Sequence, residues 1–250
     1  MSNSLYTKLI FYITVPKCVY CKSKLQIDDK ALCKECLKIY NENKLINCPL
    51  CAKTYDKCSC PNDFLNKHGV KSLYKVFKYK AREKSPQNSL IFALKQENRH
   101  DVFTFLSDEL SRSIQFSNPD LSKLVITNIP RRKSSINRYG YDHARVLAQQ
   151  ISKNLKIPYL NLLKSNAEIA QKEMKSKDRL QNVSLEIRND DISLKGKHIV
   201  IVDDIVTTGS SMSVASMLLR SIGASKVYGA TLAIAYRDDK LILDESDRFK

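Results

Sequence analysis

The stretch that decides the fold spans residues 198–211 and reads His-Ile-Val-Ile-Val-Asp-Asp-Ile-Val-Thr-Thr-Gly-Ser-Ser. Its β-branched run from Ile199 to Val202 predicts a short strand buried in a parallel sheet. Asp203 and Asp204 follow at the point where this strand is expected to end. Helical spacing over residues 212–222, closed by Gly223, predicts a helix soon afterwards. Between the acidic pair and the helix lies a hydroxyl-rich turn made of Thr207, Thr208, Gly209, Ser210 and Ser211.

A turn of this kind at the start of a helix suits a phosphate group. Loop amides and the positive end of a helix dipole attract anions, and carboxylates accept hydrogen bonds from ribose hydroxyls. The plain alternative is that two aspartates close a strand and hydroxyl side chains cap a helix. The ordered string as a whole favours a site for a phosphorylated sugar. The chain contains neither Gly-x-x-x-x-Gly-Lys nor Gly-x-Gly-x-x-Gly, which argues against a P-loop ATPase and a Rossmann enzyme.

All eight cysteines lie within residues 18–60, in four close pairs. Two such pairs can complete a tetrahedral zinc site of four thiolates, and we expect two structural zinc ions without a catalytic role. Disulfides are the alternative and need an oxidising compartment. Interleaved pairing also stays open, but neighbouring pairs are the simplest partners. They give a first cluster of Cys18, Cys21, Cys33 and Cys36, and a second cluster of Cys48, Cys51, Cys58 and Cys60.

The apolar run over residues 9–15 is short and lacks a small-residue cleavage site, so we predict no signal peptide and a cytoplasmic protein. No stretch approaches the ~18 apolar residues of a membrane span. The formal net charge is +16, and residues 1–84 hold 17 Lys/Arg against 7 Asp/Glu. In the basic exit from the cysteine region, Lys75, Lys78 and Lys80 alternate with aromatic residues. They could contact a single-stranded nucleic acid, although a solvated lysine-rich face fits the same pattern.

The remaining chain predicts alternating helices and strands. Helical spacing covers residues 88–96, 101–116 with Asp101 as N-cap, and 144–155. Strands are predicted over 124–130, 158–163 and 226–235, and the polar segment 165–197 is expected to be a mobile excursion. This alternation favours an α/β fold with a parallel sheet, whose sites form at the carboxyl ends of strands. Pro130 and Asp203 should therefore share one edge.

Residues 199–211 resemble the phosphoribosyl pyrophosphate (PRPP) motif of type I phosphoribosyltransferases. Together with the cysteine array, the chain resembles the ComF family, phosphoribosyltransferase-like proteins linked to DNA uptake in bacterial competence, over about residues 9–237. The apolar segment 9–18, which ends at the first cysteine, and the aromatic-basic segment 74–80 look like segments of that family. Arg138-Tyr-Gly-Tyr-Asp-His-Ala144 is similar to the family's Arg-Gly-Phe-Asn-Gln-Ala motif, with Tyr139 in place of its arginine. Gln171, Arg179 and Asn182 match the family's Gln-x7-Arg-x2-Asn spacing.

The resemblance implies a type I phosphoribosyltransferase fold preceded by a small zinc-ribbon module. We divide the chain into a double zinc-ribbon module (1–65), a basic helical connector or hood (66–120), a phosphoribosyltransferase domain (121–238) and a frayed tail (239–250). The implied partners are PRPP or ribose 5-phosphate, single-stranded DNA, and a competence helicase with other DNA-uptake proteins. The alternative to an enzyme is a non-catalytic adaptor that binds single-stranded DNA.

The resemblance also implies a role for each site residue. Asp203 and Asp204 hold the ribose hydroxyls as the catalytic pair, with Mg²⁺ bridging pyrophosphate and ribose oxygens. The turn from Thr207 to Ser211 binds the 5′-phosphate, and Pro130 with Arg131 faces the pyrophosphate. Arg131, Arg132 or Arg138 would replace the family arginine that is missing at Tyr139. The hood over the substrate would include Arg138, Gln171, Arg179 and Asn182.

Overall fold

The computed structural model describes residues 16–79, 82–118, 120–131, 136, 140–165, 183–189 and 192–235. Six strands lie in these ranges: β1 Val70–Tyr79, β2 Leu124–Asn128, β3 Leu163–Ser165, β4 Leu185–Ile187, β5 His198–Val206 and β6 Lys226–Ala235. Four of them form a parallel sheet in the spatial order β1-β6-β5-β2, and β3 pairs with β4 as a separate antiparallel ribbon. The predicted α/β fold with a parallel sheet is confirmed.

Six α-helices and one 3₁₀ turn complete the described part of the chain. The helices are α1 Lys34–Lys44, α2 Asp63–Lys67, α3 Pro86–Gln96, α4 His100–Ser117, α5 His143–Leu155 and α6 Ser210–Ser221, and the 3₁₀ turn is Tyr55–Lys57. Among these helices, none combines the length and the apolar character that crossing a bilayer requires.

Alternation along the strands separates two cores. In β5, Val200 and Val202 face one core, while Ile199 and Ile201 face the other, and all four side chains are buried. Helices α3, α4 and α5 pack on the first face, and α2 and α6 pack on the second. A sheet covered on both faces needs apolar residues at every strand position, which explains the continuous β-branched run.

The order of the strands places a crevice between β2 and β5. These strands are neighbours in the sheet, but the helices that follow them lie on opposite faces, α5 on the first and α6 on the second. Chains that leave adjacent parallel strands toward opposite faces open a crevice at the carboxyl edge, where ligands of α/β proteins bind.

The cysteine region packs into the first core. Cys18, Val19 and Leu32 belong to the same apolar cluster as residues of the sheet and α4. Tyr40 of α1 donates a hydrogen bond of 3.0 Å to the buried carboxylate of Glu109 in α4. Lys44 and Arg112 pair with that same carboxylate. The module is therefore joined to the sheet domain by apolar contacts and by a compensated buried charge.

Several predictions of local structure need correction. Residues 70–79, predicted to be part of a helical connector, form β1 and pair with β6 at the edge of the main sheet. Asp101 is not an N-cap, since α4 begins at His100 and the Asp101 carboxylate is bound by the Arg99 guanidinium. The strand predicted over 158–163 is one parallel bridge, between Ile126 and Tyr159. Within the predicted excursion, residues 185–187 form β4.

Candidate functional site

An acidic pair lies at the carboxyl end of β5. The strand continues through Asp203 and Asp204 to Val206, so the pair lies inside the strand rather than after it. The Asp204 carboxylate is almost fully buried, and Asp203 is half-buried. The amide of Asp204 donates to Oδ1 of Asp203 and the amide of Ile205 to Oδ1 of Asp204, each at 2.8 Å. These bonds orient both carboxylates.

Two cations from other segments meet at Asp204. Arg131, three residues after β2, donates from Nη2 to Oδ2 of Asp204 at 2.6 Å. Lys95, in the last turn of α3, places its Nζ 3.1 Å from the same oxygen, and its side chain is only 11% exposed. Arg131 is one of the site residues that the sequence predicts, whereas Lys95 is not. A single lysine in an amphipathic helix gives no sign of such a contact, which depends on how α3 packs against the sheet.

The two aspartates have opposite electrostatic environments. Burial, and then the charge of Asp204, raises the pKa of Asp203 well above its ordinary value. Burial also acts to raise the pKa of Asp204, but the charges of Lys95 and Arg131 outweigh it and lower that pKa. Two cations thus face one firmly ionised carboxylate, while the second carboxylate readily takes a proton. Two cations and an ionised carboxylate therefore meet at this edge of the sheet.

Asp142 and His143, which depart from the family motif, have structural roles. Asp142 caps α5 by accepting from the Arg145 amide at 3.1 Å, and its other oxygen accepts from the Arg131 amide at 3.2 Å. His143 is buried, with its ring 4.5 Å from that of Tyr141. Burial, and then the charge of Arg131, lowers the pKa of His143 to about 4, so its ring is neutral at pH 7. The segment fixes the backbone that carries Arg131.

The hydroxyl-rich turn directly follows β5 and opens α6. Gly209 is the N-cap residue, with a left-handed φ of +85°. A Cβ at this position would lie 2.8 Å from Cδ2 of Leu65, so glycine is required by conformation and by space. The hydroxyls of Thr208 and Ser210 lie 2.9 Å apart, and the Ser210 amide donates to Thr208 Oγ1 at 3.4 Å. We call residues Thr207–Ser211, for which the sequence predicts a phosphate contact, the phosphate loop.

The turn after β2 lies beside the acidic pair, as the sequence predicted. Asn128 is in register with Val202, and the Ile129 amide donates to the Val202 carbonyl at 2.9 Å. Asn128 is buried, and its Oδ1 accepts a hydrogen bond of 2.7 Å from Tyr159. Pro130, half-buried, is two residues beyond this register pair and therefore lies at the same edge of the sheet as the acidic pair. Of the other predicted contacts, Arg132, Arg138, Gln171, Arg179 and Asn182 lie outside the described residues.

Each predicted cysteine cluster is assembled in the structure. The four Sγ atoms of the first cluster lie within 4.8 Å of one another, and so do those of the second. Cys21 and Cys33 have their Sγ atoms 3.6 Å apart, and Cys51 and Cys58 have theirs 3.5 Å apart. Zinc–sulfur bonds of about 2.3 Å in a tetrahedron give an edge of about 3.8 Å, so both clusters fit zinc. All eight cysteines are free of disulfides, and the pairing is between neighbours rather than interleaved.

The predicted nucleic-acid contact of Lys75 is wrong. Lys75 is completely buried in β1, where its Nζ donates to the Cys60 carbonyl at 2.9 Å. A buried lysine whose ammonium group donates its hydrogen bonds to backbone carbonyls cannot contact a phosphate backbone. Lys78 is half-buried on the same strand, and Lys80 lies outside the described residues.

Known proteins resemble the chain in sequence and fold. A family model described as a phosphoribosyl transferase domain matches residues 137–248. The chain is 24% identical to Competence protein F of Haemophilus influenzae over 84% of this chain and 93% of that protein. It is 26% identical to DNA utilization protein YhgH of Escherichia coli, over 86% of this chain and 96% of that protein. A purine phosphoribosyltransferase structure from Pyrococcus horikoshii aligns with a TM-score of 0.34 at 15% identity, over 57% of this chain and 92% of that one.

Proposed function

We propose that this chain, which belongs to the ComF family and carries a phosphoribosyltransferase domain, binds PRPP or ribose 5-phosphate with Mg²⁺ at the carboxyl edge of its sheet. In this proposal it transfers the phosphoribosyl group to a nitrogen nucleophile. The supporting observation is that Lys95 and Arg131 both contact Asp204, in an acidic pair that lies at the end of β5 directly before the phosphate loop. A phosphorylated sugar presents the matching groups, which are hydroxyls, a terminal phosphate and a pyrophosphate.

Each part of the ligand has a counterpart in the site. The phosphate loop offers hydroxyls and the amides at the start of α6, a 12-residue helix whose dipole favours the 5′-phosphate. Asp203 and Asp204 accept hydrogen bonds from the 2′- and 3′-hydroxyls. Arg131 faces the pyrophosphate, and Lys95 adds a second positive charge. The acidic pair supplies carboxylate oxygens of the kind that Mg²⁺ takes, and bound Mg²⁺ would neutralise charge on the pyrophosphate.

The proposed reaction breaks the bond between C1 of the ribose and the pyrophosphate oxygen, which leaves with both electrons of that bond. A nitrogen lone pair then forms the new bond to C1, and the nitrogen loses a proton. Positive charge develops at C1 and negative charge on the departing oxygen. The cations Arg131 and Lys95 stabilise the departing charge, and the carboxylates hold the ribose in place, so catalysis rests on position and electrostatics.

A link to DNA uptake follows from family membership. The similar proteins of H. influenzae and E. coli are described as a competence protein and a DNA utilization protein. The alternative of a purely DNA-binding adaptor depended on a basic surface that included Lys75, and that side chain is buried. We therefore favour the transferase.

Isothermal titration calorimetry with PRPP, ribose 5-phosphate and bare pyrophosphate, each with Mg²⁺, tests the binding site. We expect Asp203→Asn/Asp204→Asn to lose affinity for ribose 5-phosphate yet to keep or gain affinity for pyrophosphate, because Lys95 and Arg131 lose their counter-charge. Asp120→Asn is the matched control, since this exposed aspartate precedes β2 at the opposite edge of the sheet. Equal ribose 5-phosphate affinity in the wild type and the double variant would refute the site.

Catalysis requires a separate assay. The purified protein is incubated with PRPP, Mg²⁺ and a panel of nitrogen bases and DNA strands, and pyrophosphate release is followed. We expect pyrophosphate release that depends on one class of acceptor and is lost in Asp203→Asn/Asp204→Asn. Binding of PRPP without release for any acceptor would leave a ligand-binding protein and would contradict the transfer step.

A further inference from the structure

The second cysteine cluster is bound to the sheet by an unusual buried lysine. Lys75 of β1 is completely buried, and its Nζ donates to the carbonyls of Cys60 at 2.9 Å, Leu73 at 3.4 Å and Cys58 at 3.5 Å. Among the described residues, no carboxylate forms an ion pair with it. The carbonyl dipoles and the Tyr55 ring, whose centroid lies 6.0 Å from Nζ, stabilise this ammonium but do not cancel its charge, and an uncompensated charge is costly to bury.

The adjacent cluster supplies the missing negative charge once it holds zinc. Four thiolates around one divalent ion carry a net charge of about −2, because cysteine binds metal as the thiolate. The amide of Cys60 already donates to Cys58 Sγ at 3.4 Å, as expected for a sulfur that accepts hydrogen bonds. Lys75 thus holds the backbone of two ligands that are separated by only one residue, and it balances the charge of the site.

A short chain of contacts leads from this cluster to the phosphate loop. The Leu73 amide in β1 donates to the Ser59 carbonyl at 2.9 Å, which fixes the segment between Cys58 and Cys60 along the edge strand. Asn62 then caps α2 by accepting from the Leu65 amide at 2.8 Å. Leu65 is completely buried, and its side chain packs so closely on Gly209 that a Cβ there would clash with it.

Contacts in the first turn of α6 join these parts into one packed unit. Leu65, Leu73 and Met212 belong to the same apolar core. Leu73 and Met212 both pack on Gly229 of β6, where a Cβ would lie 2.7 Å from Leu73 Cδ1 and 2.3 Å from Met212 Sδ. The first cysteine cluster instead packs into the core on the other face of the sheet. Of the two clusters, it is the second that the contacts of the described residues connect to the phosphate loop through this unit.

We propose that the second cysteine cluster, with its metal bound, positions the phosphate loop through α2 and Leu65, and that Lys75 is the counter-charge that retains this metal. Leu65 and Lys75 are positioning residues, which act on the ligand only through Gly209 and the cluster. The consequence for ligand affinity rests on the proposed function, whereas the mechanical support of the loop does not. Loss of the second metal should therefore loosen the loop, and loss of the first should not.

Amide hydrogen exchange without any ligand tests the support directly. Cys48→Ser/Cys51→Ser removes half of the second cluster, and Cys18→Ser/Cys21→Ser is the matched change in the first, with native mass spectrometry counting the zinc that remains. We expect exchange at Thr207–Ser211 to rise about 5- to 50-fold in the second-cluster variant, within the usual range of coupling between linked sites. In the first-cluster variant it should stay within about twofold of the wild type. Unchanged exchange in the second-cluster variant, or an equal rise in both, would overturn the proposal.

Leu65→Ala tests the same link with all eight thiols in place, and it decides the matter if the cysteine variant does not fold. Leu194→Ala is its control, because Leu194 is equally buried in the same core but bonds to Ile222 at the far end of α6. We expect Leu65→Ala alone to speed exchange at the loop and to weaken ribose 5-phosphate binding about 5- to 50-fold. If the wild type binds no ribose 5-phosphate, the proposed function fails, but the exchange data still show whether Leu65 and the second cluster hold the phosphate loop in place. Equal effects of both leucine variants would contradict it.

Lys75→Met tests the counter-charge. Removing a partner outside the ligand sphere typically lowers metal affinity about 10- to 100-fold, so one of two zinc ions should be lost to a chelator much sooner than in the wild type. Lys71→Met, an exposed lysine on the same strand, should lose zinc at the wild-type rate. Identical zinc loss from both variants would show that Lys75 does not retain the metal.

Discussion

Replacing Lys95 with methionine tests the electrostatic arrangement on which the site depends. Methionine keeps most of the volume of the lysine stem, so the change removes mainly the charge. The Lys95 Nζ lies 3.1 Å from Asp204 Oδ2, and the two side chains are only 11% and 9% exposed. Removing one partner of a buried ion pair costs about 3–5 kcal/mol when the other is left alone. Arg131 still contacts Asp204 at 2.6 Å, so we expect a smaller loss, about 1–3 kcal/mol.

Urea unfolding of the wild type, Lys95→Met, Asp204→Asn and the double variant isolates this interaction as a coupling free energy. We expect a coupling of about 1–3 kcal/mol, as found for residues that share a buried network. Lys30 and Asp108 provide the matched exposed pair, 2.9 Å apart with side chains 57% and 25% exposed, and their coupling should be below about 1 kcal/mol. A Lys95–Asp204 coupling no larger than that of the exposed pair would show that burial adds nothing to this ion pair.

Three further predictions concern stability and metal content. Because burial lowers the pKa of His143 to about 4, the unfolded chain binds a proton at this position between pH 6.5 and 4 that the folded chain does not. His143 should therefore contribute a fall in the free energy of unfolding of up to about 1.4 kcal/mol for each unit by which the pH is lowered in this range, measured by urea titration as the difference in slope between the wild type and His143→Gln. Gly209→Ala should cost more stability than Gly140→Ala, since both glycines have a left-handed φ worth about 1–2 kcal/mol but only Gly209 is crowded by Leu65; equal losses in thermal unfolding would contradict this contact. Native mass spectrometry of the intact chain should find two zinc ions, and a single ion would contradict one of the clusters.

Most of the fold could be predicted from local sequence patterns. The β-branched run of β5 is long enough to need burial on both faces, and this alone indicates a parallel sheet with helices on each side. The cysteine pairs lie close in sequence, so the chain can close each cluster with short loops, and neighbouring pairing follows. The phosphate loop combines a glycine with a left-handed φ and a helix start, both of which are local properties.

The errors came from contacts that depend on tertiary structure. Lys75 was predicted to be a surface cation because its sequence neighbours include other lysines. Its side chain is instead completely buried, and its ammonium group donates to the carbonyl of Cys60 in the second cluster. Because the lysines of residues 70–79 suggested an exposed basic segment, strand β1 was not predicted there. Lys95 reaches Asp204 only because α3 packs beside the crevice, and no spacing rule encodes that approach. Strands β3 and β4 have three residues each, which is too short for a period of two to be recognised.

Docking of a 5-phosphorylated ribose on the phosphate loop is the binding event from which the proposed transfer follows. An NMR titration of the isotope-labelled chain with ribose 5-phosphate and Mg²⁺, compared with unphosphorylated ribose, measures this most directly. We expect saturable shifts of the Thr207–Ser211 amides with the phosphorylated sugar and negligible shifts with ribose alone. Loop amides that remain unmoved by ribose 5-phosphate, or that respond equally to both sugars, would contradict it.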